Sequence, residues 1–278
     1  MDRILFHMGP VTVYTFGASI AMGALIAFWL ADREAKRLGI DTDQISTLSM
    51  MILVAGILGA RIFFVMFYDP LYYWQHPLDI FKIYEGGLSI HGGILGAVLI
   101  GLWYTRKTAL PFWAVADVLA PAALLGQGIA RVGCDVYGKV MAAAWPWGVQ
   151  VQGQLVHPVQ IYETLLDLAL FIFLWGKRER QRYEGQIFIY YLGGYALIRL
   201  ILEFFRTNPI WIGILTPAHL TSILFITIAL GMDRWHAKYG FISAKTQKAI
   251  IFWVNPRVWT AIIILASASL WIFYAINR

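Results

Sequence analysis

Eight ionisable side chains stand where the sequence is otherwise apolar: Arg61, His91, Arg131, Glu163, Asp167, Arg199, Glu203 and Arg206. Each costs about 2.5 to 3.5 kcal/mol at the centre of a membrane-spanning helix on insertion scales, so each invites a functional reading. One alone could be a helix-end residue that snorkels to the headgroups or pairs with a neighbour; the set together points to a site. Three arginines approaching one cavity would receive a phosphate well, because guanidinium presents planar donors that match its oxygens. Glu203 and Arg206 are spaced i to i+3, share a helix face, and can form an ion pair.

His91 stands in Ser89-Ile90-His91-Gly92-Gly93, with Glu85-Gly86-Gly87 just before it. Glycines on both sides let a backbone or a lipid approach closely and let the chain turn sharply at a helix mouth. The imidazole there can serve as general base or as hydrogen-bond donor. No helical His pair or His-carboxylate spacing accompanies it, so no metal is expected. Two further segments carry polar groups at span ends. Ala130 to Lys139 contains Arg131, Gly133, Cys134, Asp135 and Tyr137 and reads as an ordered loop lining a pocket. His157-Pro158-Val159-Gln160-Ile161-Tyr162-Glu163 reads as a proline-started helix with interfacial anchors, whose polar residues could equally orient the site. Cys134 has no neighbouring base in sequence and reads as an ordinary interfacial cysteine rather than a nucleophile.

The elements that must position these residues are membrane spans. The chain is 59% hydrophobic and 14% charged, with a mean hydropathy of +0.65, which excludes an ordinary water-soluble domain. Its single cysteine excludes an internal disulfide. The net charge of +6 lies in short clusters between apolar runs, a topology signal rather than a nucleic-acid surface. Helices able to cross about 30 Å of hydrocarbon are expected near Val11–Ala31, Leu48–Tyr68, Ile90–Tyr104, Phe112–Ile129, Val159–Trp175, Gln186–Phe205, Ala218–Met232 and Val258–Ile276. The first has no small-residue cleavage site and reads as a true span, not a signal peptide. The third and seventh are the shortest. The class expected is therefore an all-α polytopic membrane protein of about eight spans, folded as one domain over residues 1–278.

Every alternate loop is basic: Arg33, Lys36 and Arg37; Arg106 and Lys107; Lys177, Arg178, Arg180 and Arg182; Arg234, Lys238, Lys245 and Lys248. The positive-inside rule places those loops in the cytoplasm and both termini outside. In that orientation all eight ionisable residues fall toward the outer side, although consecutive helices run in opposite directions. Asp117 reads as a helix N-terminal acid. No inverted repeat is present, which counts against a secondary transporter.

In order along the chain, Gly9-Pro10-Val11, Gly59-Ala60-Arg61 with Phe67-Tyr68, Gly86 to Gly93, Arg131-Val132-Gly133, His157 to Glu163 and Glu203-Phe204-Phe205-Arg206 resemble the landmarks of the prolipoprotein diacylglyceryl transferase family. The His-Gly-Gly and His-Pro-x-Gln-x-Tyr-Glu blocks are the most specific. The resemblance implies transfer of a diacylglyceryl group from phosphatidylglycerol to the thiol of a lipobox cysteine in a prolipoprotein, in the bacterial cytoplasmic membrane, with no cofactor. It places His91, Arg131 and Arg206 at the catalytic centre. Arg61, Gly92, Gly93, Gly133, Asp135, Tyr137, His157, Gln160, Tyr162, Glu163, Arg199 and Glu203 then bind substrate around them. It also divides the chain into a family-like core at 9–235, a short extracytoplasmic loop at 135–157 and an additional C-terminal segment at 241–278. The sequence departs from the family after Arg131-Val132-Gly133, where Cys134-Asp135-Val136-Tyr137-Gly138 replaces an Asn-Phe-x-Asn pattern, and at Phe16, where the family has tyrosine. The alternatives are a divergent phospholipid-dependent transferase with another acceptor or without catalysis, and a lipid transporter or scramblase whose arginines bind anionic headgroups.

Overall fold

A computed structural model describes residues 4–8, 11–83, 86–211, 213, 215–239 and 256–277. Gly9, Pro10, Glu85, residues 240–255 and Arg278 lie outside the described residues. Each expected span is a helix: α1 Thr15–Leu38, α2 Thr42–Phe67, α4 Ile90–Lys107, α5 Phe112–Val132, α6 Val159–Lys177, α7 Gln186–Leu202, α8 Pro217–Tyr239 and α9 Pro256–Ile276, with a short α3 at Pro70–Gln75. Six of them are long and apolar enough to cross a membrane. The other two are α4 and α8, the third and seventh spans, whose polar ends (Arg106 and Lys107; Asp233, Arg234 and Lys238) dilute their hydropathy. The all-α polytopic class holds.

The first span starts later than its hydrophobicity suggests. Val11–Tyr14 is a strand, β2, paired antiparallel with β1 at Ile4–Met8, and the helix begins only at Thr15. Val-Thr-Val-Tyr is β-branched and aromatic throughout, a composition that suits a strand better than a first helical turn. A second hairpin, β3 Val149–Val151 with β4 Gln154–Val156, occupies the loop before α6.

The chain forms two compact units, residues 31–115 and residues 1–30 with 116–278. In the first, α2 and α4 lie face to face through small residues. A Cβ on Gly59 would stand 2.5 Å from the Gly92 carbonyl oxygen, and one on Gly92 would strike both Gly59 and the Phe63 side chain. Small residues are how membrane helices approach backbone to backbone when no hydrophobic drive separates protein from lipid. Gly92 is thus fully used in packing, and Gly92→Ala is expected to cost about 1 to 3 kcal/mol by overpacking, read as a lower melting temperature in detergent; an unchanged melting temperature would contradict this account.

In the second unit Gly185, with φ of +90°, is the N-cap of α7. Asp117, in α5, caps it from across the bundle: Oδ2 accepts from the Gly185 N–H at 2.6 Å and Gln181 Nε2 at 2.8 Å, and Oδ1 accepts from the Phe188 N–H at 2.9 Å. The acid expected to serve its own helix serves another, since the first N–H groups of any helix want an acceptor.

Candidate active site

Three chain segments in the larger unit bring their ionisable residues together. Arg131 lies in the last turn of α5, Glu163 in the first turns of α6, and Arg199 in the last turn of α7. Glu203 follows in a 3-10 turn, after which the backbone becomes extended at Arg206. They form one run of alternating charge. Arg131 Nε is 3.0 Å from Glu163 Oε1, and Arg199 Nη1 is 3.5 Å from Glu163 Oε2. Arg199 Nη2 is 3.7 Å and Arg206 Nε 3.6 Å from Glu203 Oε2. The carboxylates are buried, at 2% relative exposure for both Glu163 and Glu203, whereas the guanidiniums keep part of their surface open. Burial, and then the charges of Arg199 and Arg131, lower the Arg206 pKa from the ordinary guanidinium value.

Behind the run stands a set of uncharged supports. Tyr195 donates its hydroxyl to Glu163 Oε1 at 3.0 Å. Asn208 Nδ2 and Thr216 Oγ1 both donate to Glu203 Oε1, each at 2.7 Å. The Thr216 N–H donates to His219 Nδ1 at 3.2 Å, which puts the proton of a neutral ring on Nε2. One oxygen of Glu203 is therefore saturated, and the other is turned toward Arg199 and Arg206. Among the described residues Arg199 Nη1, Arg206 Nε and Glu203 Oε2 are buried with no hydrogen-bond partner: the ion pairs hold these groups close at lengths beyond hydrogen-bond range. Among the described residues, one donor nitrogen on each of two guanidiniums thus has no hydrogen-bond acceptor. Tyr195, Asn208, Thr216 and His219 were not legible as site residues, because they are ordinary residues in helical or loop context whose spacing to Glu163 and Glu203 is tertiary.

The arms beside the run are also ordered. The Lys139 N–H donates to the Phe205 carbonyl oxygen at 2.7 Å and its Nζ to that of Phe204 at 3.0 Å, one and two residues before Arg206. The Gly138 N–H donates to the His157 carbonyl oxygen at 2.9 Å. A Cβ on Gly133 would stand 2.8 Å from the Thr15 carbonyl oxygen, so this glycine lets the arm after α5 lie against α1. His157 and Tyr162 pack with Phe205, ring centroids 5.2 and 5.9 Å away. Gln160 donates to the Cys134 carbonyl oxygen at 3.0 Å. The Cys134 thiol is buried, at 7% relative exposure. Asp135 and Tyr137 follow in the same arm. Asp167, one helical turn beyond Glu163, accepts from Gln127 at 3.4 Å and makes none of the ion pairs above.

His91, Gly92, Gly93 and Arg61 belong to the smaller unit. Arg61 is 5% exposed, and its guanidinium is taken up by backbone. Nε donates to Ile80 O at 2.8 Å, Nη1 to Gly86 O at 2.8 Å and Gly87 O at 3.0 Å, and Nη2 to Asp79 O at 2.5 Å. The Tyr73 ring lies 5.2 Å from its Cζ. Four of the five guanidinium donors are spent on one loop, so Arg61 holds the segment that leads into α4. In that loop the Lys82 ammonium, 2.7 Å away, and then the Tyr72 hydroxyl hold the Asp79 carboxyl below the usual carboxylate range. His91, in the first turn of α4, is exposed and lies 6.2 Å from the Phe63 ring, centroid to centroid. Among the described residues its imidazole makes no hydrogen bond, which leaves both ring nitrogens available to a substrate.

Residues 3–235 match the family model of prolipoprotein diacylglyceryl transferase. The chain is 35% identical over 244 residues to the phosphatidylglycerol–prolipoprotein diacylglyceryl transferase of Bacillus mycoides (strain KBAB4), covering 83% of this chain and 90% of that protein. It is 33% identical over 263 residues to the protein of the same name from Geobacillus kaustophilus (strain HTA426), covering 89% and 97%. The ordered arginine-carboxylate run and the His-Gly-Gly helix start are thus carried by a membrane enzyme that belongs to the prolipoprotein diacylglyceryl transferase family.

Proposed function

We propose that the chain transfers the diacylglyceryl group of phosphatidylglycerol to the cysteine thiol of a prolipoprotein lipobox, at the outer face of the cytoplasmic membrane. The observation that carries this reading is the pair of buried guanidinium donors, Arg199 Nη1 and Arg206 Nε, that have no hydrogen-bond acceptor among the described residues. The departing group is an anionic phosphate ester, and it accumulates charge as its bond to the glyceryl carbon lengthens. Preorganised cations at that point lower the barrier more than they stabilise the resting lipid. The thiol loses its proton, sulfur bonds to the glyceryl carbon, the carbon-oxygen bond to phosphate breaks, and glycerol phosphate departs with the electron pair.

A cysteine thiol has a pKa of about 8.5, so a nearby base raises its reactive fraction. His91 is assigned that proton, or a hydrogen bond to the reacting group. Arg131, Arg199 and Arg206 are assigned the phosphate; Glu163 and Glu203 set their spacing. Tyr162, His157, Gln160, Gly133, Asp135 and Tyr137 line the arms. Arg61 and Gly92 contribute through the loop and the helix pair that present His91, and Gly93 stands beside them.

Purified protein incubated with labelled phosphatidylglycerol and a lipobox peptide is expected to give thioether-linked peptide and glycerol phosphate in equal amounts. Phosphate ester release without lipidated peptide would instead mark a transferase with another acceptor, and lipid movement without bond cleavage a scramblase. The orientation has its own test. After Cys134→Ser, a cysteine at exposed Gln154 should react with a membrane-impermeant maleimide on intact cells and one at Arg180 should not; the reverse pattern would invert the topology.

A further inference from the structure

α9 lies wholly after the stretch matched to the family, which ends at residue 235, yet its last turns are fastened into the arms beside the arginine run. Phe273 is fully buried in a cluster with Val132, Val149 and Ile161, so one ring joins the end of α5, β3 and the start of α6. The Tyr274 hydroxyl donates to the Trp147 carbonyl oxygen at 2.7 Å, and the Tyr137 hydroxyl donates to Asn277 Oδ1 at 2.5 Å. Trp147 in turn donates its indole N–H to the Tyr162 hydroxyl at 2.9 Å, and His157 Nδ1 lies 3.2 Å from that same hydroxyl. Tyr162 directly precedes Glu163. A helix that only anchored the chain in lipid would need none of these bonds to a loop.

The arm that α9 holds has a distinctive chemistry. From Met141 to Val156 no residue is charged. Trp145 and Trp147 stack with ring centroids 5.0 Å apart and remain 51% and 44% exposed. Stacked indoles tethered at a carbonyl and at an indole nitrogen form a rigid apolar surface that loses little entropy on contact. Such a surface has nothing to offer a phosphate and suits an uncharged stretch of polypeptide.

We infer that α9 is a positioning element for the acceptor: it holds the Trp145-Trp147 face against Tyr162, and that face takes the apolar polypeptide segment that carries the thiol. The inference rests on the proposed transfer to a polypeptide and names the surface that receives it. Tyr274 and Phe273 act through Trp147 and are positioning residues.

The test uses the full chain in detergent with two probes: a fluorescent peptide of small apolar residues with serine at the acceptor cysteine, which binds without reacting, and phosphatidylglycerol. Tyr274→Phe removes one hydrogen bond and is expected to weaken peptide binding about 3- to 10-fold, with the melting temperature and lipid binding unchanged. Phe273→Ala should weaken it further, and Phe273→Leu should restore most of it. Unchanged peptide affinity in Tyr274→Phe overturns the inference, and so does parallel loss of peptide and lipid binding, which would mark a general structural role. Because binding is read without turnover, absence of thioether product from the unaltered chain would sink the proposed reaction and leave this surface to be judged by peptide affinity alone.

Discussion

Arg206→Ala is expected to lower turnover at least about 100-fold, the loss typical of one preorganised donor at a developing negative charge, while the protein remains folded. Its Nε lies 3.6 Å from Glu203 Oε2 and has no hydrogen-bond acceptor among the described residues. Removing it frees Glu203 from one partner, but Glu203 keeps Asn208, Thr216 and Arg199. The protein therefore loses less than the reaction does. His91→Ala should have a comparable effect, roughly 100- to 10,000-fold for a residue that moves a proton, because among the described residues the exposed imidazole makes no hydrogen bond that the fold would miss. Arg206→Lys separates charge from geometry: it keeps the cation and loses the planar fork, and partial activity is expected. Turnover within a few-fold of the unaltered chain in both alanine variants, measured as thioether formation at saturating lipid, would remove both residues from the centre.

Glu163→Ala is expected to act mainly on the fold. This carboxylate is 2% exposed and sits between Arg131 at 3.0 Å and Arg199 at 3.5 Å. Breaking a buried ion pair by deleting one partner costs about 3 to 5 kcal/mol, since the other charge is left uncompensated. Here two guanidiniums lose their shared anion, although each can still turn toward solvent, with 29% and 20% of its side chain exposed. The lower end, about 3 kcal/mol, is therefore the expected loss. Glu163→Gln should recover only part of it, because the amide can accept from Tyr195 as the carboxylate does but carries no charge. Equal melting temperatures for Glu163→Gln and the unaltered chain would show that Arg131 and Arg199 do not depend on this anion.

The two variants also separate the jobs within one run of charge. In the proposed reaction, the arginine donors that have no hydrogen-bond acceptor among the described residues are the ones assigned to the phosphate. Carboxylates that end on Tyr195, Asn208 and Thr216 are the scaffold that sets the distance between those arginines. A run built of cations alone would repel itself. Two buried glutamates hold it together and still leave the guanidiniums able to receive an anion.

Much of this was legible before any coordinate. The eight long helices follow from the apolar runs, six of them long and apolar enough to span, because the membrane demands that backbone polar groups be satisfied within the helix. Arg131, Glu163, Arg199, Glu203 and Arg206 stand out for the same reason: in lipid a charge is expensive, so its presence is informative. The strand at Val11–Tyr14 was hidden inside an apolar run, since hydrophobicity reports burial or lipid contact and does not distinguish four residues of strand from a first helical turn.

Partners were another matter. Residue type and position marked which side chains needed a counterion, so the sequence alone determined the class of the protein, its membrane-spanning order and the list of costly charges. Only the tertiary structure decided that Arg61 is spent on loop carbonyls, that Gly92 packs against Gly59, that Asp117 caps a different helix, and that the last turn of α9 and Asn277 just after it reach Trp147 and Tyr137. Hydropathy depends on each residue's own transfer energy and can be summed along the chain. A hydrogen bond depends on two groups meeting within about 3 Å, and that distance is set by how helices far apart in sequence pack.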